Sequence, residues 1–518
     1  MGNGNIAFTM SMGVNGTEGY PVHVEVFSTG GIPGMEIIGL PDASVRESRD
    51  RVHAAIINSE RESPDPHRIT VSLAPADLRK EGPSFDLPIA VGVLHATHML
   101  RPAADFSFEE TVFFGELSLD GNVRPVNGAL PMVISARENG IKTVILPEQN
   151  AGEASCIEGM KIIPVSSLRQ VIRYIEGSEE ISPQKQLSYD EIVCERIPYV
   201  DMSQIRGQEA ARRALEVTAA GGHNLLMIGV PGSGKTMLAR CLPGILPPLT
   251  FEEALETTRI HSICGKLSPG SGLIVNRPFS APHHSASMTA LIGGGPNAKP
   301  GEVSLAHNGV LFLDELAEFS RTALEALRQP LEDGVVSVSR IKHQALYQSS
   351  FMLVAAMNPC PCGYYGSASR ACRCTPQEIR RYLDRISGPL LDRIDIQIEV
   401  DAVPVREINK DHAAESSAEV AVRVAAARKI QQERYAKEPF HCNAQLGSSA
   451  IRKYCSMSGE ASALLSSAVE AMHMSMRGYN RILKTARTIA DLDNAEEINS
   501  THVAEAIQYR ELDRKYWR

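Results

Sequence analysis

A chain of 518 residues, 43% hydrophobic and 22% charged, is too long for a single core, and roughly two to four domains are expected of it. The composition is that of an ordinary soluble globular protein, and no apolar run approaches the roughly 18 residues of a membrane span. A net charge of −9 argues against a surface built wholly for polyanions, although a ring can be acidic outside and basic in its pore.

The N-terminus carries no basic-then-apolar leader, and Ile6 stands where a myristoylation signal needs Ser or Thr. A cytoplasmic location, with no membrane partner, is therefore expected. Ten cysteines, four of them within 360–374, fit reduced thiols better than a disulfide framework.

Residues 1–178 read as an α/β module. Strand-like alternation marks 22–27 and 69–73, a short buried strand marks 143–146, and a helical pattern covers 45–57. A polar connector follows over 179–200. A second α/β pattern, 201–402, begins with a helix over 209–220 and a strand that opens directly onto a Gly-rich loop. From 403 to 518 the texture is helical, with segments at 418–435, 461–473, 480–492 and 500–509. Ser, Gly and Asn separate the last three, as a small bundle requires.

The loop Gly229-Val230-Pro231-Gly232-Ser233-Gly234-Lys235-Thr236 satisfies G-x-x-x-x-G-K-[ST] in full. An apolar strand precedes it and an apolar-periodic helix follows, so backbone N–H groups and a helix N-terminus can converge on phosphate oxygens. The pattern predicts an ATP site, with Lys235 on the β/γ-phosphates and Thr236 on Mg²⁺. The bland alternative, a plain Gly-rich turn, is disfavoured by that context. A second strand, 310–313 (VLFL), ends in Asp314 and Glu315. Its unbroken apolar run implies burial on both faces, and acidic residues at the end of such a strand belong at a ligand crevice. Asp314 is expected in the Mg²⁺ shell and Glu315 on the attacking water. A third strand, 351–357, ends in Asn358, which either contacts the γ-phosphate or water, or forms an Asx turn before Pro359.

The order of Walker A, Pro282-His283-His284, Walker B, 357–363 (MNPCPCG) and 390–395 (LLDRID) resembles the Mg-chelatase-like AAA+ proteins, and more closely the bacterial ComM/YifB family. The resemblance implies a P-loop AAA+ parallel-sheet domain with a small C-terminal helical lid, assembled as a homo-hexamer with active sites between subunits. It further implies that Arg393 is the arginine finger and Arg477 the lid sensor, with Arg481 the alternative. For activity it implies an ATP-driven helicase that promotes branch migration on single-stranded and branched DNA, in natural transformation and homologous recombination. A chelatase subunit or a protein-remodelling motor would use the same engine.

Cys360-Pro361-Cys362 and Cys372-Arg373-Cys374 enclose nine residues. Four thiolates so spaced could close around Zn²⁺, although C-x₂-C is the commoner zinc spacing. Reduced structural thiols and a redox pair are the alternatives. Segments 335–340 and 344–348 read as a β-hairpin around Ile341-Lys342-His343. In related motors that hairpin enters the channel, where Arg340, Lys342 and His343 would meet DNA phosphates. The alternative is an edge hairpin with solvated charges. His283 and His284, in the long 250–301 segment, either touch DNA or are satisfied structurally. Basic clusters lie at 370–385 and 477–487. Finally, Gly82-Pro83-Ser84, Gly115-Glu116, Val126-Asn127-Gly128 and 140–147 (GIKTVILP) resemble the Lon protease domain. Ser84 falls at that family's nucleophile, but Leu130 replaces the lysine partner, so a Lon-like fold without its Ser–Lys dyad is expected.

Overall fold

Residues 22–26 show why the N-terminal sheet forms. Val22, Val24 and Val26 are buried while His23 and Glu25 face outward, the period of a half-buried strand. The structure is a computed structural model that describes all residues except 1–3, 60, 62–66, 194–199, 296–297, 341–342, 368–369, 404–414 and 518, and except the side chains of 339, 340, 343 and 344. The chain divides into two compact units, 1–196 with 251–275, and 197–250 with 276–518. Among the described residues, no helix is long and apolar enough to cross a membrane. The α/β class expected from the sequence is the one adopted.

The first unit holds a seven-stranded sheet in the order Gly34–Ile38, His67–Ala74, Glu18–Gly30, Asn5–Asn15, Thr111–Phe113, Thr143–Pro147, Lys161–Val165. Its central helix, Asp86–Ala96, buries every residue except His95. Burial of the Asp86 carboxylate is tolerated because Arg51 binds both its oxygens, at 2.7 and 3.0 Å, while Ser48 and the Leu117 N–H complete the shell. Ser84 lies buried in the single turn Pro83–Phe85, and Leu130 is fully buried in the helix Ala129–Glu138. Lys80, four residues before Ser84, directs its amine to the carbonyls of Pro75 and Leu78, and burial lowers its pKa.

Residues 251–275, placed by sequence within the 201–402 module, pack instead with this first unit. The Ser262 hydroxyl donates to Glu153 at 2.6 Å, and the Gly128 and Gly270 N–H groups donate to Ser262 and Gln149 carbonyls at 3.0 and 2.8 Å. Burial pushes the Glu153 carboxyl up, although Ser262, Asn150 and the Leu130 N–H all donate to it. At Gly152 a Cβ would stand 2.6 Å from the Gly270 carbonyl oxygen, so glycine is required by the approach of two chains.

The second unit is built on a five-stranded parallel sheet in the order Phe279–Ser280, Val310–Leu313, Met352–Met357, Leu225–Gly229, Ile396–Val400. Its three middle strands are buried throughout, as helices on both faces demand. The hairpin read at 335–348 is present as Val335–Arg340 paired antiparallel with His343–Gln348. Lys342 lies outside the described residues, as do the side chains of Arg340 and His343.

The C-terminal helices Ser417–Arg434, Gly459–Ala471, Met476–Leu492 and Ser500–Gln508 start at caps that the sequence encodes. Ser416 and Glu419 form a reciprocal capping box, and Asn499 caps the last of the four. A buried polar network joins them to the sheet. His223 bridges Asp395 at 3.0 Å and Thr488 at 2.7 Å. Asp491 accepts from Arg434 at 2.6 Å, from Arg487 at 3.0 Å and from Asn443 at 2.8 Å. Asp491→Ala would leave the buried Arg487 and the partly buried Arg434 guanidiniums without their carboxylate and should destabilise this unit by about 3–5 kcal/mol. An earlier urea transition is the expected outcome; an unshifted one would show that the cluster adds no stability.

Candidate active site

Parallel strands place all their C-terminal ends on one edge of a sheet, where ligand crevices form. Gly229, Asp314 and Asn358 each follow or end one of the three buried strands and so meet there. The glycines of the loop answer to different demands. Gly232 and Gly234 have φ of +78° and +90°, a region that L side chains resist, and a Cβ at either would meet nothing within 4 Å. The loop therefore presents bare backbone to open space, as a phosphate cradle must. Gly229 is held for packing, since its Cβ would stand 2.2 Å from the Val400 carbonyl oxygen.

Lys235 begins the helix Lys235–Ile245 and is buried. Its Nζ donates to the Gly229 and Val230 carbonyls at 2.7 and 2.9 Å and lies 3.4 Å from Asn358 Oδ1. Burial lowers its pKa, against the pull of the Asp314 charge. Thr236 Oγ1 donates to Asp314 Oδ2 at 2.8 Å, and Asp314 Oδ1 accepts the Glu315 N–H at 3.0 Å. A hydroxyl and a carboxylate in that contact form an oxygen donor pair suited to Mg²⁺. Val230, Pro231 and Ser233 complete the loop, and Ser233 is buried at its turn.

Glu315 adopts φ +53°, uncommon for a residue with a side chain and typical of functional turns. Its carboxylate Oε2 lies 2.9 Å from His284 Nδ1, a distance at which an Nδ1–H imidazole donates to it. The His283 and His284 rings lie 4.1 Å apart. Together with Thr236, Arg240, Asp314 and Glu315, they line a cavity of about 280 Å³. The sequence marked the Pro282-His283-His284 motif but offered only DNA or a structural turn for it; Arg240 carried no signal at all.

The arginines stand differently. Arg393 is tied within its own chain, to the Pro389 carbonyl at 2.8 Å and to Glu332, while its buried Nε has no hydrogen-bond partner among the described residues. Arg477 is 71% exposed and 3.7 Å from Asp392. Arg481 is buried and donates to the same carboxylate at 2.8 Å. None of the three lines the cavity. The sulfurs of Cys360, Cys362, Cys372 and Cys374 lie within 4.8 Å of one another. Backbone N–H groups of Arg373 and Tyr364 bring the Cys362 thiol down to about 6, whereas burial pushes Cys374 up to about 12.

Family models described as "Magnesium chelatase, subunit ChlI", "Subunit ChlI of Mg-chelatase" and "Magnesium chelatase, subunit ChlI C-terminal" match residues 201–408, 24–150 and 414–510. The chain is 44% identical over 505 residues to protein YifB of Escherichia coli, covering 97% of this chain and 96% of that protein. It is 43% identical over 513 residues to competence protein ComM of Haemophilus influenzae, with 98% of each covered. A shorter likeness, 32% over 100 residues, relates 19% of this chain to 17% of Lon protease 2 of Bacillus subtilis.

Two glycine substitutions separate packing from ligand binding. Gly229→Ala should lower the thermal midpoint, because the Val400 carbonyl must move. Gly232→Ala should fold, at a cost of about 1–2 kcal/mol for the left-handed residue, and should weaken nucleotide binding measured by calorimetry. Equal effects of the two on both measurements would contradict the division.

Proposed function

This chain belongs to the Mg-chelatase-like AAA+ ATPases of the YifB and ComM type, and we propose that it is a hexameric, ATP-driven DNA translocase promoting branch migration. The convergence of Lys235, Thr236, Asp314, Glu315 and Asn358 at adjacent strand ends carries the ATPase part of this reading. The competence name of the Haemophilus relative favours DNA as the track, in natural transformation and homologous recombination.

In this reading the Lys235 amine exchanges the Gly229 and Val230 carbonyls for β/γ-phosphate oxygens. Thr236 and Asp314 would hold Mg²⁺, which would neutralise phosphate charge. Glu315 has two oxygens: His284 holds one, leaving the other to orient the attacking water. Asn358, already beside Lys235, reaches the γ-phosphate or that water. Arg393 leaves Glu332 to serve the site of a neighbouring subunit, where a planar guanidinium can meet phosphate oxygens bidentately. Exposed Arg477 suits a lid sensor better than buried Arg481, which braces Asp392. Arg340, Lys342 and His343, at the hairpin turn, would grip the DNA backbone. The working division is a Lon-like domain over 1–178, a linker over 179–200, the ATPase core over 201–402 and the lid over 403–518, with 251–275 attached to the first. A second reading, a chelatase-type ATPase subunit, is favoured by the description of the matched family models.

ATPase rates with single-stranded DNA, a porphyrin or an unfolded protein separate these readings. Stimulation by DNA is expected; stimulation by porphyrin or protein alone would overturn the DNA assignment. Glu315→Gln should bind ATP with near wild-type affinity and lose about 10²-fold or more in kcat. His284→Ala should lower kcat in the same direction with little change in KM, and His284→Asn, which keeps a donor, should recover part of it. Lys235→Ala should abolish binding, and mixing it with Arg393→Ala should restore some turnover. Failure of every mixture, with the protein monomeric in ATP, would exclude shared sites.

A further inference from the structure

We propose that Cys360, Cys362, Cys372 and Cys374 hold one Zn²⁺ ion, and that this ion fixes one wall of the nucleotide site. The first part stands on the cluster itself; the second rests on the ATP reading above.

Three sulfur pairs measure 3.4 Å (Cys360–Cys362), 3.7 Å (Cys360–Cys372) and 3.5 Å (Cys362–Cys372). Tetrahedral zinc with Zn–S bonds of about 2.3 Å requires sulfur–sulfur edges of about 3.8 Å. A disulfide requires about 2.05 Å, so the cysteines stand at metal-site spacing and not at bonding distance. The set is purely sulfur, the soft donor type that selects zinc over Mg²⁺. The Cys374 N–H points to Cys372 Sγ at 3.4 Å, a backbone donor of the kind that steadies ligated thiolates. Cys360 is fully buried. Among the described residues, no helix or strand lies between Met357 and Pro376, a long span for a compact domain to leave unsupported. A metal cross-link supplies what regular structure does not.

The path of this segment ties it to the nucleotide loop. It leaves the sheet at Asn358, whose side chain lies 3.4 Å from the Lys235 amine, and enters the cluster two residues later. At Gly363, φ +83°, a Cβ would stand 2.7 Å from the ring carbons of Pro231, so the cysteine loop rests directly on the phosphate loop. It leaves the cluster at Cys374. Thr375 then caps the helix Pro376–Leu383 in a reciprocal box with Glu378. That helix buries Tyr382 and Leu383. The metal thus ties down a segment that starts at Asn358, rests on Pro231 and ends in a capped helix. Removing the metal loosens the segment that makes the contacts with Lys235 and Pro231.

The test uses the full chain. Metal analysis by plasma mass spectrometry should find about one zinc per chain, and exchange with Co²⁺ should give the visible and thiolate-to-metal bands of a tetrahedral sulfur site. The double variant Cys362→Ser/Cys372→Ser should lose the metal and weaken ATP binding about 10-fold, with far-UV circular dichroism retained. Cys374→His, which keeps four ligands, should retain zinc and near-normal affinity. Less than about half an equivalent of zinc, with no tetrahedral Co²⁺ spectrum, overturns the site. Zinc present but ATP affinity unchanged in the metal-free variant overturns the coupling alone. A zinc-loaded wild type that binds no nucleotide overturns the ATP reading and the coupling with it, and leaves the metal site standing.

Discussion

Every group assigned to the site depends on one constraint, that the strands of the second unit run parallel with Met352–Met357 at their centre, between Val310–Leu313 and Leu225–Gly229. Parallel pairing aligns strand ends, so a loop, an acidic pair and an amide that are far apart in sequence become neighbours. The register is held by burial: every residue of Leu225–Gly229, Val310–Leu313 and Met352–Met357 is inside, and a shifted strand would carry its polar successor into the core. The Thr236–Asp314 hydrogen bond is the visible product of that alignment, joining the first helix turn of one βα unit to the strand end of another.

The site is built from groups that already have partners. Lys235 rests on carbonyls of its own loop, Glu315 on His284, and Arg393 on Glu332 and Pro389. A buried charge cannot be left bare, so the Lys235 amine has a resting contact and a proposed working one, and the half-buried Arg393 and exposed Glu315 are paired likewise. Binding then becomes an exchange of partners, which limits its desolvation cost. The C-terminal helices pair their charges in the same way, because Arg481 braces Asp392 beside Arg393, and His223 joins Asp395 to Thr488. The segment carrying Asp392 and Asp395 is thereby tied to the helix Met476–Leu492 at two points.

The first unit follows a different logic. It keeps the sequence marks of a Lon-like domain, yet the position expected to supply the dyad amine is an apolar, fully buried Leu130. Glu153 accepts the N–H of that residue and the hydroxyl of Ser262, from a segment inserted after the phosphate-loop helix. A buried carboxylate that would otherwise be costly is satisfied by residues more than a hundred positions apart in sequence.

Sequence alone determined the class of both α/β units, the phosphate loop, the strand bearing Asp314 and Glu315, the hairpin and the C-terminal helices. Each of these is written in local signals: strict apolar runs, a fixed motif spacing, capping residues such as Ser416 and Asn499. It also marked the four cysteines, but not the sulfur distances on which the zinc proposal rests. Only the tertiary structure decided that His284 faces Glu315, that Arg240 lines the cavity, that Gly363 lies on Pro231, and that residues 251–275 pack with the first unit. Those contacts join positions from tens to more than a hundred residues apart, and no local periodicity encodes which distant segment arrives there.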